Sequence, residues 1–282
     1  MVYDNTPPDE LTLQALARLA SYTLHAAAPM LRRSIHTLNP SLKPDGSEIT
    51  EVDREVNRFI IDALATDSLP NYPVLGEEIS TEITDLAEPV WVLDPIDGTF
   101  PYTAGIGVAC ISLTLVVAGN PVLAVVEDPW TATQYLATSN APTTRNTLPV
   151  AASIKTDLSG ARIGVSAGGL FDVLKSHGAK CLGVGASVRL GASVADGTLD
   201  AHCFGPGEPW DTASALLMVP AAGGVVLPVE PAFESLHAAK RVPRIVLAGT
   251  IELANAVADI WRASLPPYQI TLAASHTIPE RI

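Results

Sequence analysis

The sequence predicts an α+β arrangement in its first half joined to an α/β arrangement in its second, and three observations carry that prediction. Two long β-like runs, Val108 to Val117 and Val122 to Val126, are separated only by Ala118-Gly119-Asn120-Pro121, where Gly-Asn reads as a hairpin turn. Beyond residue 150 short apolar runs alternate with helical stretches, the pattern of strands covered by helices. The 282-residue chain is 48% hydrophobic and 17% charged, which is enough apolar material for one large or two ordinary cores. Two domains are expected, residues 1–150 and residues 151–282.

Taken in order, Pro7-Pro8-Asp9-Glu10 opens a helix with acid at its positive end. Leu13, Leu16, Ala20, Leu24, Ala27 and Leu31 then form one apolar face, and Pro29 is expected to kink or shorten the helix. Leu38 to Gly46 reads as a loop. A second helix begins at Thr50, whose hydroxyl can cap the amide of Asp53, and its stripe is Val52, Val56, Phe59, Ile60 and Ala63. Val74-Leu75 is a short strand into Gly76-Glu77-Glu78, and Val90 to Leu93 is a buried strand that Asp94-Pro95 should end. Tyr135 to Ala137 adds a strand, and Asn140 to Leu148 reads as a crossing between the halves.

In the second half, Ile163 to Ser166 is a strand, followed by Gly168-Gly169 and a helix to His177. Gly185-Ala186-Ser187 starts a helix to about Asp196. Trp210 to Ala222 is helical, with Ala213, Leu216, Leu217 and Ala221 on its apolar face and Gly223-Gly224 as its stop. Val225 to Leu227 and Ile245 to Ala248 are strands, and Ile251 to Ala263 is a last amphipathic helix.

The net charge of −13 opposes a nucleic-acid polymer or an anionic membrane as partner, since both need clustered cations. It does not oppose a small phosphorylated substrate whose charge is met by metal ions. The cysteines Cys110, Cys181 and Cys203 are too scattered for a disulfide framework or a thiolate zinc site. The opening residues lack the form of a signal peptide, and Ala104 to Ala118 is too short and glycine-broken to span a bilayer. A cytoplasmic protein is the expectation.

Carboxylates recur at element boundaries: Asp53, Glu77, Asp94 with Asp97 three residues on, and Asp211 after Trp210. Each has a plain structural alternative. Asp53 suits a reciprocal helix cap, Asp-Pro-x-Asp-Gly is good turn chemistry, and Asp211 suits an N-cap. No histidine or cysteine belongs to the set, so a metal held by it would be oxygen-ligated, Mg²⁺ or Mn²⁺ rather than Zn²⁺. After Asp97, Gly98 and Thr99 offer amides and a hydroxyl of the kind that meet a phosphate.

The order of these blocks resembles the inositol monophosphatase superfamily of magnesium-dependent, lithium-sensitive phosphomonoesterases. The matching stretches are Lys43-Pro44-Asp45-Gly46-Ser47-Glu48-Ile49-Thr50-Glu51-Val52-Asp53, Gly76-Glu77-Glu78, Asp94-Pro95-Ile96-Asp97-Gly98-Thr99, and Trp210-Asp211 with Ala222-Gly223-Gly224. The resemblance implies a layered α-β-α-β-α sandwich of the inositol monophosphatase and fructose-1,6-bisphosphatase type. It implies two or three Mg²⁺ ions, with Mn²⁺ able to substitute, and a homodimer. Glu77, Asp94 and the carbonyl of Ile96 would hold the first ion, and Asp94, Asp97 and Asp211 the second. Gly98 and Thr99 would bind the phosphate. Asp53 and Thr99 would pair as a proton relay, and with Glu77 they make up the catalytic set.

A haloacid-dehalogenase-type phosphatase is the first rival, but its paired aspartates lie two residues apart, whereas here the spacing is three with Pro95 between. A catalytically silent metal- and phosphate-binding regulatory protein is the second, and it conflicts with the presence of every expected ligand. Substrate choice is divided. Inositol and histidinol phosphatases usually carry a glutamate where this chain has Phe204, with Glu208 nearby as a substitute. Phe204-Gly205-Pro206 and Trp210-Asp211-Thr212-Ala213 resemble the 3′-phosphoadenosine-5′-phosphate phosphatase branch, although Cys203 replaces its arginine. Arg189 matches that branch's basic position. Phe100, Tyr102 and Phe204 as aromatic surface, with Arg189 for a second anion, favour a nucleotide or nucleoside phosphate. Inositol 1-phosphate or another sugar phosphate is the alternative.

Overall fold

Asp9 starts the first helix by accepting a hydrogen bond from the amide of Thr12 at 2.8 Å. The helix, α1 (Glu10–Ser34), buries the stripe read from the sequence. Pro29 does not end it: the ring removes one backbone donor, while Leu31 beyond it is fully buried and its carbonyl accepts the Tyr102 hydroxyl. The computed structural model describes residues 8–266 apart from 39, 44–45, 79–82, 84–85, 87, 231–232, 234 and 237–240. Pro7, expected at the helix entry, and Pro44 and Asp45 of the first matching block lie outside the described residues.

The stretch expected to be a loop contains β1 (Ser41–Leu42), paired antiparallel with β2 (Glu48–Ile49). Next comes α2 (Glu51–Leu64), whose buried side is Val52, Asp53, Val56, Asn57, Ile60 and Leu64; Phe59, expected inside, is 37% exposed. A seven-stranded sheet follows in order along the chain. Its strands are β3 (Val74–Gly76), β4 (Val90–Asp97), β5 (Cys110–Val117), β6 (Asn120–Asp128), β7 (Thr133–Thr138), β8 (Ala141–Arg145) and β9 (Leu148–Pro149). The short helix α3 (Thr99–Thr103) leaves the end of β4. Ala118 and Gly119, both at positive φ, make the β5–β6 turn, one position earlier than Gly-Asn. Residues 140–148 are not a crossing: their Thr-rich segments extend the sheet as β8 and β9.

The second half forms a five-stranded sheet. Its elements are β10 (Arg162–Val165), α4 (Leu170–Ser176), β11 (Lys180–Leu182), α5 (Ser187–Ala195), β12 (Ala201–Phe204), a 3₁₀ turn Pro209–Asp211, α6 (Ala213–Ala221), β13 (Val225–Pro228), β14 (Ile245–Ala248) and α7 (Ile251–Ser264). The strand order is β11-β10-β12-β14-β13, with β10 parallel to both its neighbours and the β12–β14 and β14–β13 pairs antiparallel. The sequence reading lacked β11 and β12, which carry the polar residues Lys180 and His202 and so do not stand out as apolar runs.

Three separate cores make five layers, α-β-α-β-α. Trp91 and Leu93 of β4, with Ile111, Leu113 and Leu115 of β5, pack under α1 and α2. The alternate residues Val90, Val92 and Val116 face the middle layer with Val188, Leu190 and Met218 of α5 and α6. Ala201, Cys203, Val246 and Ala248 pack outward against Leu253, Val257 and Trp261 of α7. Burial on both faces explains why these strands read as continuous apolar runs. It also corrects the face expected for α6: Ala215, Met218 and Val219 are buried while Leu216 and Leu217 are only partly so, because the helix is apolar all round. Among the described residues no helix is long and apolar enough to cross a membrane.

Tyr102, expected at the substrate, is instead fully buried, with its hydroxyl 3.0 Å from the carbonyl of Leu31. Tyr102→Phe should therefore cost about 1 kcal/mol of stability. Urea denaturation will show it as a lower midpoint at unchanged slope, with unchanged KM for any ester turned over. A raised KM with unchanged stability would return Tyr102 to the substrate pocket.

Candidate active site

The site is built on an irregularity in β4. Pro95 has no amide to give the ladder, yet the strand does not end there: Asp94 still opposes Ser112 and Asp97 still opposes Cys110, with a register shift between them. The extra residue is a bulge, and it places both carboxylates at the strand's end, 2% and 5% exposed. Asp94 Oδ1 accepts from the amide of Ile96 at 3.0 Å, and the Thr99 hydroxyl donates to the carbonyl of Ile96 at 3.1 Å. Gly98 has φ +92°, and a Cβ on it would lie 2.9 Å from that of Ala186, so only glycine fits between this turn and the loop before α5.

The remaining carboxylates arrive from other element ends. Glu77 follows β3, which runs parallel to β4. Asp211 closes the 3₁₀ turn, its Oδ2 accepting from the amide of Glu208 at 2.8 Å. A Cβ on Gly207 would fall 2.8 Å from that same oxygen, so the backbone itself packs on Asp211. Asp97 Oδ2 accepts from the amide of Arg189 at 3.0 Å and from the Cys110 thiol at 3.4 Å. Asp53 sits in the capping box of α2, Oδ2 accepting from the Thr50 amide at 2.7 Å and hydroxyl at 2.6 Å, while its buried Oδ1 has no partner.

Glu77, Asp94, Ile96, Asp97, Gly98, Thr99, Phe204 and Asp211 line one cavity of about 490 Å³. Asp53, Arg189 and Glu208 do not line it. Asp53 and Thr99, expected to pair as a proton relay, are not hydrogen-bonded to each other: the hydroxyl donates to Ile96, and Asp53 Oδ2 accepts from Thr50. Nor is the Arg189 guanidinium aimed at a ligand: Nε donates to the buried Asp128 at 2.7 Å and Nη1 to Ser193 at 2.6 Å. Glu208 pairs with Arg241 at 3.2 Å. Sequence reasoning missed Arg241, the one basic side chain among the described lining residues, and the hydroxyls of Ser166 and Ser187. Ser166 had a usable signal, its place at the end of an apolar strand; Arg241 had none.

The cluster carries unbalanced negative charge. Burial, then the charges of Glu77, Asp97 and Asp211, push the Asp94 carboxyl well above the usual carboxylate range. Burial raises Asp97 to about 6 against the opposing amides of Arg189, Val188 and Ser187. Burial also raises Asp211 to about 7, with Asp97 and Glu77 adding to the effect. Asp53 rises to about 6, again chiefly through burial. Among the described residues no cationic side chain pairs with Asp94, Asp97 or Asp211; Lys43 instead pairs with Glu77 at 2.6 Å and with Glu78. Burial opposes the charge on that ammonium, but the two glutamates outweigh it and hold Lys43 at about 12.

This donor set fits a hard divalent cation: it is all oxygen, buried, and short of positive charge. Among the described residues no three acidic, histidine or cysteine side chains are already drawn into a closed cage. Mg²⁺ characteristically retains several waters rather than demanding an all-protein shell, so an open set of carboxylates suits it.

Known proteins resemble this chain in sequence and in fold. The model of the inositol monophosphatase family matches residues 12–265. The probable inositol 1-monophosphatase ImpA of Mycobacterium tuberculosis is 31% identical over 265 residues, covering 86% of this chain and 95% of its own. The 3′(2′),5′-bisphosphate nucleotidase CysQ of Haemophilus influenzae is 29% identical over 198 residues, covering 66% and 73%. The crystal structure of an IMPase/NADP phosphatase complexed with NADP and Ca²⁺ superimposes with a TM-score of 0.79 at 21% identity, over 92% of this chain and 98% of that one, so the fold is shared.

Because the cluster repels itself when empty, Asp94→Asn should raise the melting temperature of the metal-free protein at pH 8, by about 2–4 °C for each kcal/mol of repulsion relieved. Mg²⁺ should stabilise the parent protein by binding its folded state and should stabilise the variant much less. A variant that melts lower, yet gains as much from Mg²⁺ as the parent, would show that Asp94 lies outside the cation site.

Proposed function

The chain belongs to the inositol monophosphatase family and is a phosphoric monoester hydrolase; from that premise we propose that it is Mg²⁺-dependent and cleaves a nucleotide or nucleoside phosphate. The family is metal-dependent. In the proposed arrangement Glu77, Asp94 and the Ile96 carbonyl hold one cation, and Asp94, Asp97 and Asp211 hold another. The Ile96 carbonyl has two lone pairs and gives one to the Thr99 hydroxyl, which leaves the other for a cation. Divalent cations bound there would lower the pKa of a water and offset charge on the phosphoryl oxygens. Gly98 and Thr99 present amides to the phosphate. Asp53 keeps one buried oxygen without a partner as a proton acceptor, and a relay through Thr99 would need its hydroxyl to give up its bond to Ile96.

The substrate class rests on one observation: among the described residues, the wall formed by Ser166, Ser187 and residues 204–207 carries no carboxylate for a cyclitol hydroxyl, and Glu48, which also lines the cavity, accepts from the Thr103 hydroxyl. Phe204 stands where that carboxylate would be, Glu208 is turned to Arg241, and Arg241 supplies a guanidinium at the rim. An aromatic face favours a base, worth about 1–3 kcal/mol in stacked nucleic-acid sites. A guanidinium favours a second phosphate. An inositol phosphate is the second reading, favoured by the ImpA relative that matches over nearly its whole length. The net charge of −13 favours a small anion met through cations over a nucleic-acid polymer, and the proposed assembly is a homodimer.

Turnover should vanish after EDTA and dialysis and return with Mg²⁺ or Mn²⁺; activity that survives would sink the metal mechanism. Lithium at roughly tens of millimolar should inhibit, to an extent that shifts with Mg²⁺, as a weakly held hard cation would. In a panel assayed with Mg²⁺, adenosine 3′,5′-bisphosphate and NADP should exceed inositol 1-phosphate in kcat/KM. Arg241→Ala should raise KM about tenfold for the bis-anionic esters alone, the loss of one charge-assisted contact. Inositol 1-phosphate preferred tenfold over every nucleotide would reverse the substrate reading. Thr99→Ala should cost no more than about 1 kcal/mol of stability, with a similar melting temperature, while kcat collapses; near-parental kcat would remove Thr99 from the mechanism.

A further inference from the structure

Behind the wall opposite the carboxylates lies a histidine that the proposed chemistry does not use. His202 sits in the middle of β12 between Ala201 and Cys203, which both pack in the outer core, so alternation turns it toward the middle layer. It is fully buried. Its Nε2 lies 3.0 Å from the hydroxyl of Ser166, the residue that follows β10, and its Nδ1 is buried with no partner. Ser166 in turn accepts from the hydroxyl of Ser187, the first residue of α5, at 3.1 Å. Both serines line the same cavity as Asp94, Asp97 and Asp211.

From this geometry we infer that His202 is a positioning residue that locks the Ser166 hydroxyl as a donor into the cavity, selecting esters whose leaving group presents an acceptor oxygen there. Burial without a compensating charge pushes the imidazole down to about 3, so the ring is neutral near pH 7 and carries one N–H. A buried N–H without an acceptor is rarer and costlier than a buried acceptor without a donor. The proton therefore resides on Nε2, which has an acceptor, and not on Nδ1, which has none. With Nε2–H and the Ser187 O–H both donating to it, the Ser166 oxygen has used its two lone pairs. Its own proton is all it has left to offer, and the cavity is where it can go.

The arrangement gives the cavity two unlike walls. One is a set of carboxylates that, when ionised, accept from a ligand or hold cations. The other carries, besides Arg241 at the rim, an uncharged donor whose direction is fixed by a buried ring. A hydroxyl or ring oxygen on the leaving group satisfies that donor; a bare aryl group leaves it unpaired. The identity of the ligand rests on the phosphomonoesterase reading, whereas the proton arrangement does not.

Two measurements test this. Long-range ¹H–¹⁵N correlation on histidine-labelled protein, assigned with His202→Gln, should show His202 as the Nε2–H tautomer; an Nδ1–H tautomer overturns the inference. That readout needs no turnover, so it stands even if the phosphatase reading fails. The second is the ratio of kcat/KM for β-glycerol phosphate, whose leaving group carries hydroxyl oxygens, to that for phenyl phosphate, which has none. His202→Phe should lower this ratio about five- to tenfold, and His202→Gln, which keeps a donor for Ser166, should restore it. Should His202→Phe fail to fold, Ser166→Ala removes the donor directly and should lower the ratio equally. Equal losses on both esters would mean that the ring only supports the fold.

Discussion

Everything near the site depends on holding several carboxylates in a poorly solvated place that offers them almost no internal positive charge. Such a cluster is costly to fold, and the surrounding structure spends rigid elements on it. β4 and β5 are buried on both faces, so the strand end that carries Asp94 and Asp97 cannot relax outward. Backbone amides then stand in for counter-ions: that of Ile96 on Asp94, that of Arg189 on Asp97, that of Glu208 on Asp211. Amides offer partial charge without satisfying a full one, so the cluster is held in place yet still short of cations.

The first turn of α5 ties the two sheets to this centre. Its amides reach Asp97 from the second half of the chain, and Ser187 in the same turn carries the hydroxyl that meets Ser166. Arg189 makes the turn stiff. Its guanidinium bonds Asp128 at the end of β6, and breaking so buried a pair would leave an uncompensated charge, typically at about 3–5 kcal/mol. A cation that the sequence suggested for a ligand is thus used to aim a backbone dipole at a carboxylate.

Much of the site was legible because its residues stand at element ends, where composition speaks locally. The Asp-Pro-x-Asp-Gly-Thr turn, the Thr50 cap, the Glu77 that follows a short strand and the Trp210-Asp211 pair all show in runs of a few residues. What was not legible depends on partners far along the chain. That β4 passes Pro95 as a bulge is decided by β5 across the sheet. That Arg189 is engaged is decided by Asp128, 61 residues earlier. That Tyr102 is buried is decided by Leu31 at the end of α1, and that Asn140 to Leu148 forms strands is decided by β7 beside it. The face of α6 was unreadable for a different reason: a helix packed between two sheets has no polar side to break the symmetry.

The division of labour between the halves follows from this. Most of the carboxylates come from strand and helix ends of the seven-stranded sheet, whose spacing is set by the ladder itself and tolerates little change. The opposite wall, Ser166, Ser187, Phe204 and the Gly205-Pro206-Gly207 turn, comes from the five-stranded sheet and the loops above it. Changing Phe204 or Arg241 alters what a leaving group meets without touching the ladder that spaces Asp94 from Asp97. Asp211 is the exception, a carboxylate carried by the second half and pinned by the backbone of Gly207, one residue from Glu208 and three from Phe204. If the proposed site is right, substitutions in that turn would act on specificity and cation binding together, and it is there that a change of substrate would be hardest to separate from a change of catalysis.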